Sequence, residues 1–325
     1  MKVGLIVAGQ YLHDAPAEVR GREMVEQVRL ARDLGFDSVW VTHHYLIEFQ
    51  TFQPIPLLAR FAAEAGDMEL GTAIYVLPLQ HPVEVAENFA TLDALTGGRL
   101  IFGVAQGYRD VEFQSLGVPR KERAPRFEEG LELITRLWTG DEVTFAGQFY
   151  QVDRVRISMP PVRKPRPPIW IGATEDAAIV RAARLGDAWM VGPRVTLPAL
   201  RKQLGVYREA LRREGRSVER EYPMFREVVL APTTAEAQAA ATRNLRTKYE
   251  AYARWRYSDL TFDDLVRDAF IVGDAETCVR TLTRYRDDAG MTHLLARVQT
   301  PGVSQADALR GIRALGERGI PALRR

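Results

Sequence analysis

The chain carries a single cysteine, Cys278, so no intrachain disulfide can form and nothing ties the fold to an oxidising compartment. It has no apolar run near the ~18 residues that suggest a membrane-spanning helix, so no membrane partner is expected. It lacks an excess of either charge: 44 Lys and Arg stand against 42 Asp and Glu, a formal net charge of +2. A dedicated nucleic-acid binder would usually carry a marked basic excess, so none is expected here. The G-x-S-x-G elbow, the Walker phosphate loop and the G-x-G-x-x-G fingerprint are all missing, which counts against hydrolase, nucleotidase and Rossmann-dehydrogenase chemistry. There is no H-E-x-x-H or C-x-x-C pair either, and no metal site is expected. What is present is the composition of a folded protein, 46% hydrophobic and 26% charged over 325 residues. That length suits one α/β barrel domain over residues 1–325. The opening MKVGLIVAGQ reads as a first strand rather than a signal peptide, and a cytoplasmic protein is the default expectation.

Short apolar runs alternate with segments of helical periodicity. The runs are Val3–Val7, Ser38–Val41, Leu70–Leu77, Leu100–Val104, Ile169–Ile171, Ala188–Val191, Val228–Leu230 and Leu294–Val298. Each is nearly continuous, as strands covered on both faces should be. Between them, apolar residues recur at helical spacing, as in Met24, Val28, Ala31 and Leu34 or Phe127, Leu131, Ile134 and Leu137. Gly35 is placed to cap the first helix, and Thr233 with Glu236 forms a capping-box pattern. Eight repeats favour a closed parallel (β/α)8 TIM barrel over an open sheet, because closure leaves no edge. Extra material follows strands 4 and 7. The first insertion holds a hairpin pattern around Gly147, and the second holds two helices, one carrying Leu245, Tyr249, Tyr252 and Trp255. Phe145, Phe149, Tyr252 and Trp255 would either wall an apolar pocket or belong to the core.

Barrel enzymes place their chemistry just after the strands. Strand 2 is followed by Thr42, His43 and His44, strand 4 by Gln106, Gly107 and Tyr108, and strand 5 by Gly172, Ala173 and Thr174. The small residues of the last turn admit a ligand close to the backbone, and a following helix N-terminus favours a phosphate. Gln106 can hydrogen-bond a ribityl chain or a phosphate. Two adjacent extended residues point to opposite faces, so His43 and His44 cannot share one metal. One of them is a candidate proton donor or orienting group, against a packing role. His81 reads as a cap, His293 as structural, and His13 lies near the mouth.

These segments resemble those of the bacterial luciferase-like monooxygenases. The likeness is carried by Gly35-Phe36-Asp37-Ser38-Val39-Trp40 with His44, by Gly71-Thr72-Ala73 through Leu77-Pro78 and His81-Pro82, by Leu92-Asp93, Gly97-Gly98-Arg99 and Phe102-Gly103-Val104, and by Pro168 to Gly172 with Gly186 to Trp189. The resemblance implies a barrel that binds reduced FMN at its C-terminal mouth. A separate flavin reductase would supply the FMN, and molecular oxygen would be used to oxidise a small organic substrate. It gives His44 a role in proton transfer or in holding the oxygenated flavin. It places a non-proline cis peptide at Ala73–Ile74 beneath the flavin ring, beside Thr72, and it implies a homodimer. His43 stands where the family generally has an acid, Gln106 where luciferase has an arginine, and Ala105 where luciferase has a cysteine, which sets this chain apart from light emitters. Two other functions fit the same residues: hydride transfer with a 5-deazaflavin coenzyme, and flavin binding without catalysis.

Overall fold

The computed structural model of the protein describes residues 1–254 and 260–324. Eight parallel strands form a closed ring: β1 (Lys2–Val7), β2 (Ser38–Val41), β3 (Glu69–Thr72), β4 (Leu100–Ala105), β5 (Ile169–Ala173), β6 (Ala188–Val191), β7 (Pro223–Leu230) and β8 (His293–Arg297). Each pairs with its sequence neighbour, and β8 returns to pair with β1, Lys2 against His293. This is a (β/α)8 TIM barrel. Helices α1 (Ala17–Asp33), α2 (Pro54–Ala62) and α3 (Pro82–Leu95) cover the first three crossovers. The connection from β4 to β5 holds α4 (Asp110–Ser115), α5 (Arg123–Leu137) and an antiparallel hairpin, Val143–Ala146 with Gln151–Val155. After β5 come α6 (Asp176–Leu185) and, beyond β6, α7 (Leu197–Arg213). The connection from β7 to β8 holds α8 (Thr234–Arg254), α9 (Phe262–Asp268), a short strand Ile271–Gly273 and α10 (Ala275–Ala289).

Two strands depart from the apolar runs. The third run breaks after Thr72, because Ala73–Ile74 is a cis peptide, and pairing resumes only at Tyr75–Val76. The seventh strand starts five residues earlier than Val228, at Pro223, and runs through Arg226 and Glu227 although both are fully buried. Arg226 is tolerated there because its guanidinium donates to the carbonyls of Gly192, Phe225 and Val195 at 2.8–3.0 Å.

The barrel interior is filled by Ile6, Trp40, Ile101, Trp170, Met190, Phe225 and Leu295, one layer of large side chains drawn from several strands. Trp40 and Trp170 stack with centroids 4.9 Å apart. Gly71 makes room for them, since a Cβ there would sit 2.3 Å from the Trp40 ring. The indole N–H of Trp40 donates to Ser38 Oγ at 2.7 Å, and Ser38 Oγ lies 2.8 Å from His293 Nε2. Burial pushes His293 down to about 4, so it is a neutral structural histidine. Cys278 is buried on α10, and burial raises its thiol to about 12.

Candidate active site

The C-terminal ends of the strands surround a cleft of about 290 Å³, the scale of a small-molecule site. His44, Ala73, Gln106, Gly107, Tyr108, Gly172, Ala173 and Thr174 all line it. Thr72 does not. It is fully buried one residue below, and its hydroxyl donates to the Gly103 carbonyl at 2.6 Å. His13 is not among the lining residues either, and His81 accepts from Val83 N–H as the N-cap of α3. Neither Phe145 nor Phe149 lines this cleft. Phe145 packs in the main core under Arg136, and Phe149 packs against that core beneath Arg126, both cations coming from α5. The side chains of Tyr252 and Trp255 lie outside the described residues.

His44 is held by a group the sequence reading missed. Its Nδ1 lies 3.2 Å from Glu112 Oε1, on α4 just beyond strand β4. The same oxygen accepts from the Tyr45 backbone N–H at 3.0 Å and from Arg109 at 3.0 Å. Arg109 in turn donates to the carbonyls of Tyr45 at 2.5 Å and Leu46 at 3.2 Å. The loop after β2 and the loop after β4 are thus tied together around one carboxylate. Glu112 is only 1% exposed, and burial pushes its carboxyl up; the bonds from His44, Tyr45 and Arg109 outweigh this and hold its pKa below the usual carboxylate value. A carboxylate facing Nδ1 fixes the tautomer with the proton on Nδ1, leaving Nε2 on the opposite edge of a ring that borders the cleft. The available signal in the sequence was Arg109-x-x-Glu112, a helical i,i+3 charge pair directly after a barrel strand.

His43 does different work. Its side chain is buried, stacks on Tyr75 at 4.5 Å, and accepts from the Val76 N–H at 3.1 Å through Nδ1. Burial first, and then the neighbouring His44, push it down to about 3, so it is neutral and supports the backbone that follows the cis peptide.

The cleft has two polar sides. On the β4–β5 side, Gly172 keeps the floor open: a Cβ there would come within 3.0 Å of Ile74. Beyond it, Glu175 precedes α6 without capping it by a side chain. Arg123 of α5 borders the same corner and has no ion pair among the described residues. Burial and the nearby Arg120 lower its pKa, the mark of a crowded cation. The cleft continues outward over Arg120, Lys121, Arg123 and Arg181. On the opposite side stand Arg194, Phe225 and Arg297. Arg297 forms a two-pronged pair with Glu227, at 2.9 Å from Nε and at a second, shorter contact, and lies over the Phe225 ring at 4.6 Å. Lys248 and Tyr249 of α8 reach the same carboxylate at 3.4 and 2.5 Å. Burial raises Glu227, but Arg297 and Lys248 overcome it and bring it to about 2. Burial and then Arg297 bring Lys248 down to about 7.

The luciferase-like monooxygenase family model matches residues 1–293. The chain is 28% identical over 239 residues to the oxygenase component of the flavin-dependent trigonelline monooxygenase of Acinetobacter baylyi, covering 72% of this chain and 65% of that one. It is 27% identical over 337 residues to the F420-dependent glucose-6-phosphate dehydrogenase of Amycolatopsis mediterranei, covering 94% and 98%. Among solved structures, the monooxygenase RslO1 from Streptomyces bottropensis superposes with a TM-score of 0.90 at 25% identity over 99% of both chains. With the barrel, the cis peptide and the match over residues 1–293 together, the chain belongs to the luciferase-like monooxygenase family and is an oxidoreductase of that family.

Proposed function

We propose that this protein is the oxygenase component of a two-component, FMN-dependent monooxygenase, a homodimer that receives reduced FMN from a separate reductase and uses molecular oxygen to oxidise a small organic substrate. The observation that carries this reading is His44 pinned by Glu112 at the wall of a cleft whose floor is the Ala73–Ile74 peptide and Gly172. The residues fit the cofactor. A flat ring needs a floor without projecting side chains, and Ala73 and Gly172 supply one; a Cβ at Gly172 would close it. A phosphate needs N–H donors and a cation, and the start of α6, Gln106, Thr174 and Arg123 supply them. When bound, reduced FMN supplies the electrons with which molecular oxygen is activated. His44 would hold or move a proton at Nε2, with Glu112 at its Nδ1 fixing the orientation of the ring. The apolar residues Ile74, Val76 and Met190 line the cleft and would limit water around a bound ring.

A second reading, hydride transfer with a 5-deazaflavin coenzyme, is favoured by one feature: the groove over Arg120, Lys121 and Arg181 suits a longer anionic tail. Oxygen uptake with chemically reduced FMN, beside titration of FMN and F420 by fluorescence, separates the two. The monooxygenase reading expects FMN to bind and oxygen to be consumed with substrate. His44→Ala is expected to lower turnover about 100-fold while FMN binding changes less than twofold. F420 binding without FMN binding would overturn the reading.

A further inference from the structure

The side chains that fill the barrel also reach the cleft: Ala73, Met190 and Phe225 belong to both. Trp40 stands two residues before Thr42, and Trp170 two before Gly172, and both later residues line the cleft. Residues two apart on a strand share a face and lie about 7 Å apart. The stacked Trp40–Trp170 pair is therefore one layer beneath the floor on which the flavin reading seats the ring. Resting on that reading, we infer that Trp40, with Trp170 stacked on it, is a one-electron donor to an oxidising ring in the cleft, and that Ser38 and His293 form its proton acceptor.

Three observations carry this. The two indoles are near-parallel, 22° between planes, so the pair shares the positive charge left when one ring loses an electron. The second is a proton path. Trp40 Nε1–H donates to Ser38 Oγ at 2.7 Å, and that oxygen lies 2.8 Å from His293 Nε2. Ser38 has one proton to give. Donated to Nε2, it leaves one group unmatched, the Nδ1–H of His293; the reverse orientation leaves two, the Ser38 hydroxyl proton and the Nδ1 lone pair. The path therefore runs from the indole through Ser38 to an imidazole nitrogen that burial keeps unprotonated at rest. Ser38, Trp40 and His293 are all 0% exposed, so bulk water cannot take the proton instead. The third is a contrast. Trp138 and Trp189 donate to the carbonyls of Ala86 and Ala173 at 3.0 and 2.9 Å, and a peptide carbonyl is too weak a base to keep a proton. The step balances. One electron leaves the Trp40 ring for the acceptor in the cleft, the indole proton moves to Ser38 Oγ, and the Ser38 proton moves to His293 Nε2. The products are a neutral indole radical, an imidazolium and an acceptor reduced by one electron. An indole that has lost an electron is a far stronger acid than a neutral one, which drives the transfer. Return of the electron reverses both proton moves, so no other reactant is consumed.

The test uses light. Oxidised FMN and, in parallel, oxidised F420 are bound to the protein and excited by a short pulse. Transient absorption then follows the tryptophan radical, whose protonated and deprotonated forms have different spectra. Tyr108 also borders the cleft, so the radical spectrum is the readout rather than quenching of the ring's fluorescence. The unaltered protein is expected to yield the deprotonated tryptophan radical. Trp40→Phe should cut that yield about fivefold or more. Ser38→Ala and, separately, His293→Gln should leave the yield of electron transfer within about twofold and slow loss of the proton about tenfold. Ser38→Ala removes a single oxygen, so the test stands if Trp40→Phe does not fold. Absence of a tryptophan radical with a ring bound overturns the inference and leaves the FMN reading in place. So does equal proton loss in the unaltered protein and both relay variants. If F420 binds and FMN does not, the FMN reading fails, and the pulse on the F420 complex decides this inference.

Discussion

The two halves of the barrel mouth are built on opposite principles. From β2 to β5 the cleft is made of small residues, backbone and histidines, with a single buried ion pair, Arg109 and Glu112, behind His44 and the other cations at its outer lip. From β6 to β8 it is made of buried charge: Arg226, Glu227 and Arg297 on the strands, and Lys248 from α8. The first half spends little structure on itself and leaves surface for a ligand. The second is held by mutual neutralisation, and its strength depends on every member being present. A flat neutral ring belongs with the first kind of wall; a charged group of fixed position belongs with the second.

Three measurements would break or sharpen this contrast. The largest effect is expected at Glu227. Glu227→Ala strands Arg297 and Lys248 without their carboxylate and should cost about 3–5 kcal/mol in urea unfolding; a loss under 1 kcal/mol would mean that the charged half is not self-supporting. Next comes acid sensitivity. His43 and His293 sit at about 3 and 4 in the folded protein, below the ordinary histidine value of 6.5, so the native state binds fewer protons than the unfolded chain. Their contribution is complete above pH 6.5 and lost as the pH falls, on the order of 1.5 kcal/mol per histidine between pH 6.5 and 5. His43→Gln should flatten the stability profile over that window, and an unchanged profile would mean that His43 is not held neutral. The smallest effect is at the outer lip. Arg123→Gln should weaken FMN about tenfold, roughly 1.4 kcal/mol, and leave riboflavin, which has no phosphate, unaffected. Equal loss for both ligands would move the phosphate elsewhere.

The same contrast decides what the sequence could reveal. Strands β1, β2, β4, β5, β6 and β8 were legible because barrel strands covered on both faces read as plain apolar runs. The first half of the mouth was legible too, because its residues are unusual in place: histidines at a strand end, and Gly-Ala-Thr before a helix. The second half was hidden. Arg226 and Glu227 look like surface charges, so the seventh strand was read from Val228 only, and nothing local says that Glu227 meets Arg297 seventy positions on. Glu112 was missed for a similar reason, since its partner His44 is 68 residues away in the chain. Thr72 was read with Ala73 as a cofactor-binding residue, but its side chain is fully buried and does not line the cleft.

The buried thiol has its own bearing on how such an enzyme wears. If the oxygenase reading proposed above holds, the site handles reduced flavin and oxygen, and any oxidant that escapes it would attack thiolates first. Cys278 offers no thiolate at any working pH, being buried with its pKa near 12. Under that reading, oxidative damage would fall instead on thioether sulfur, beginning with Met159, an exposed methionine of the proline-rich segment before β5.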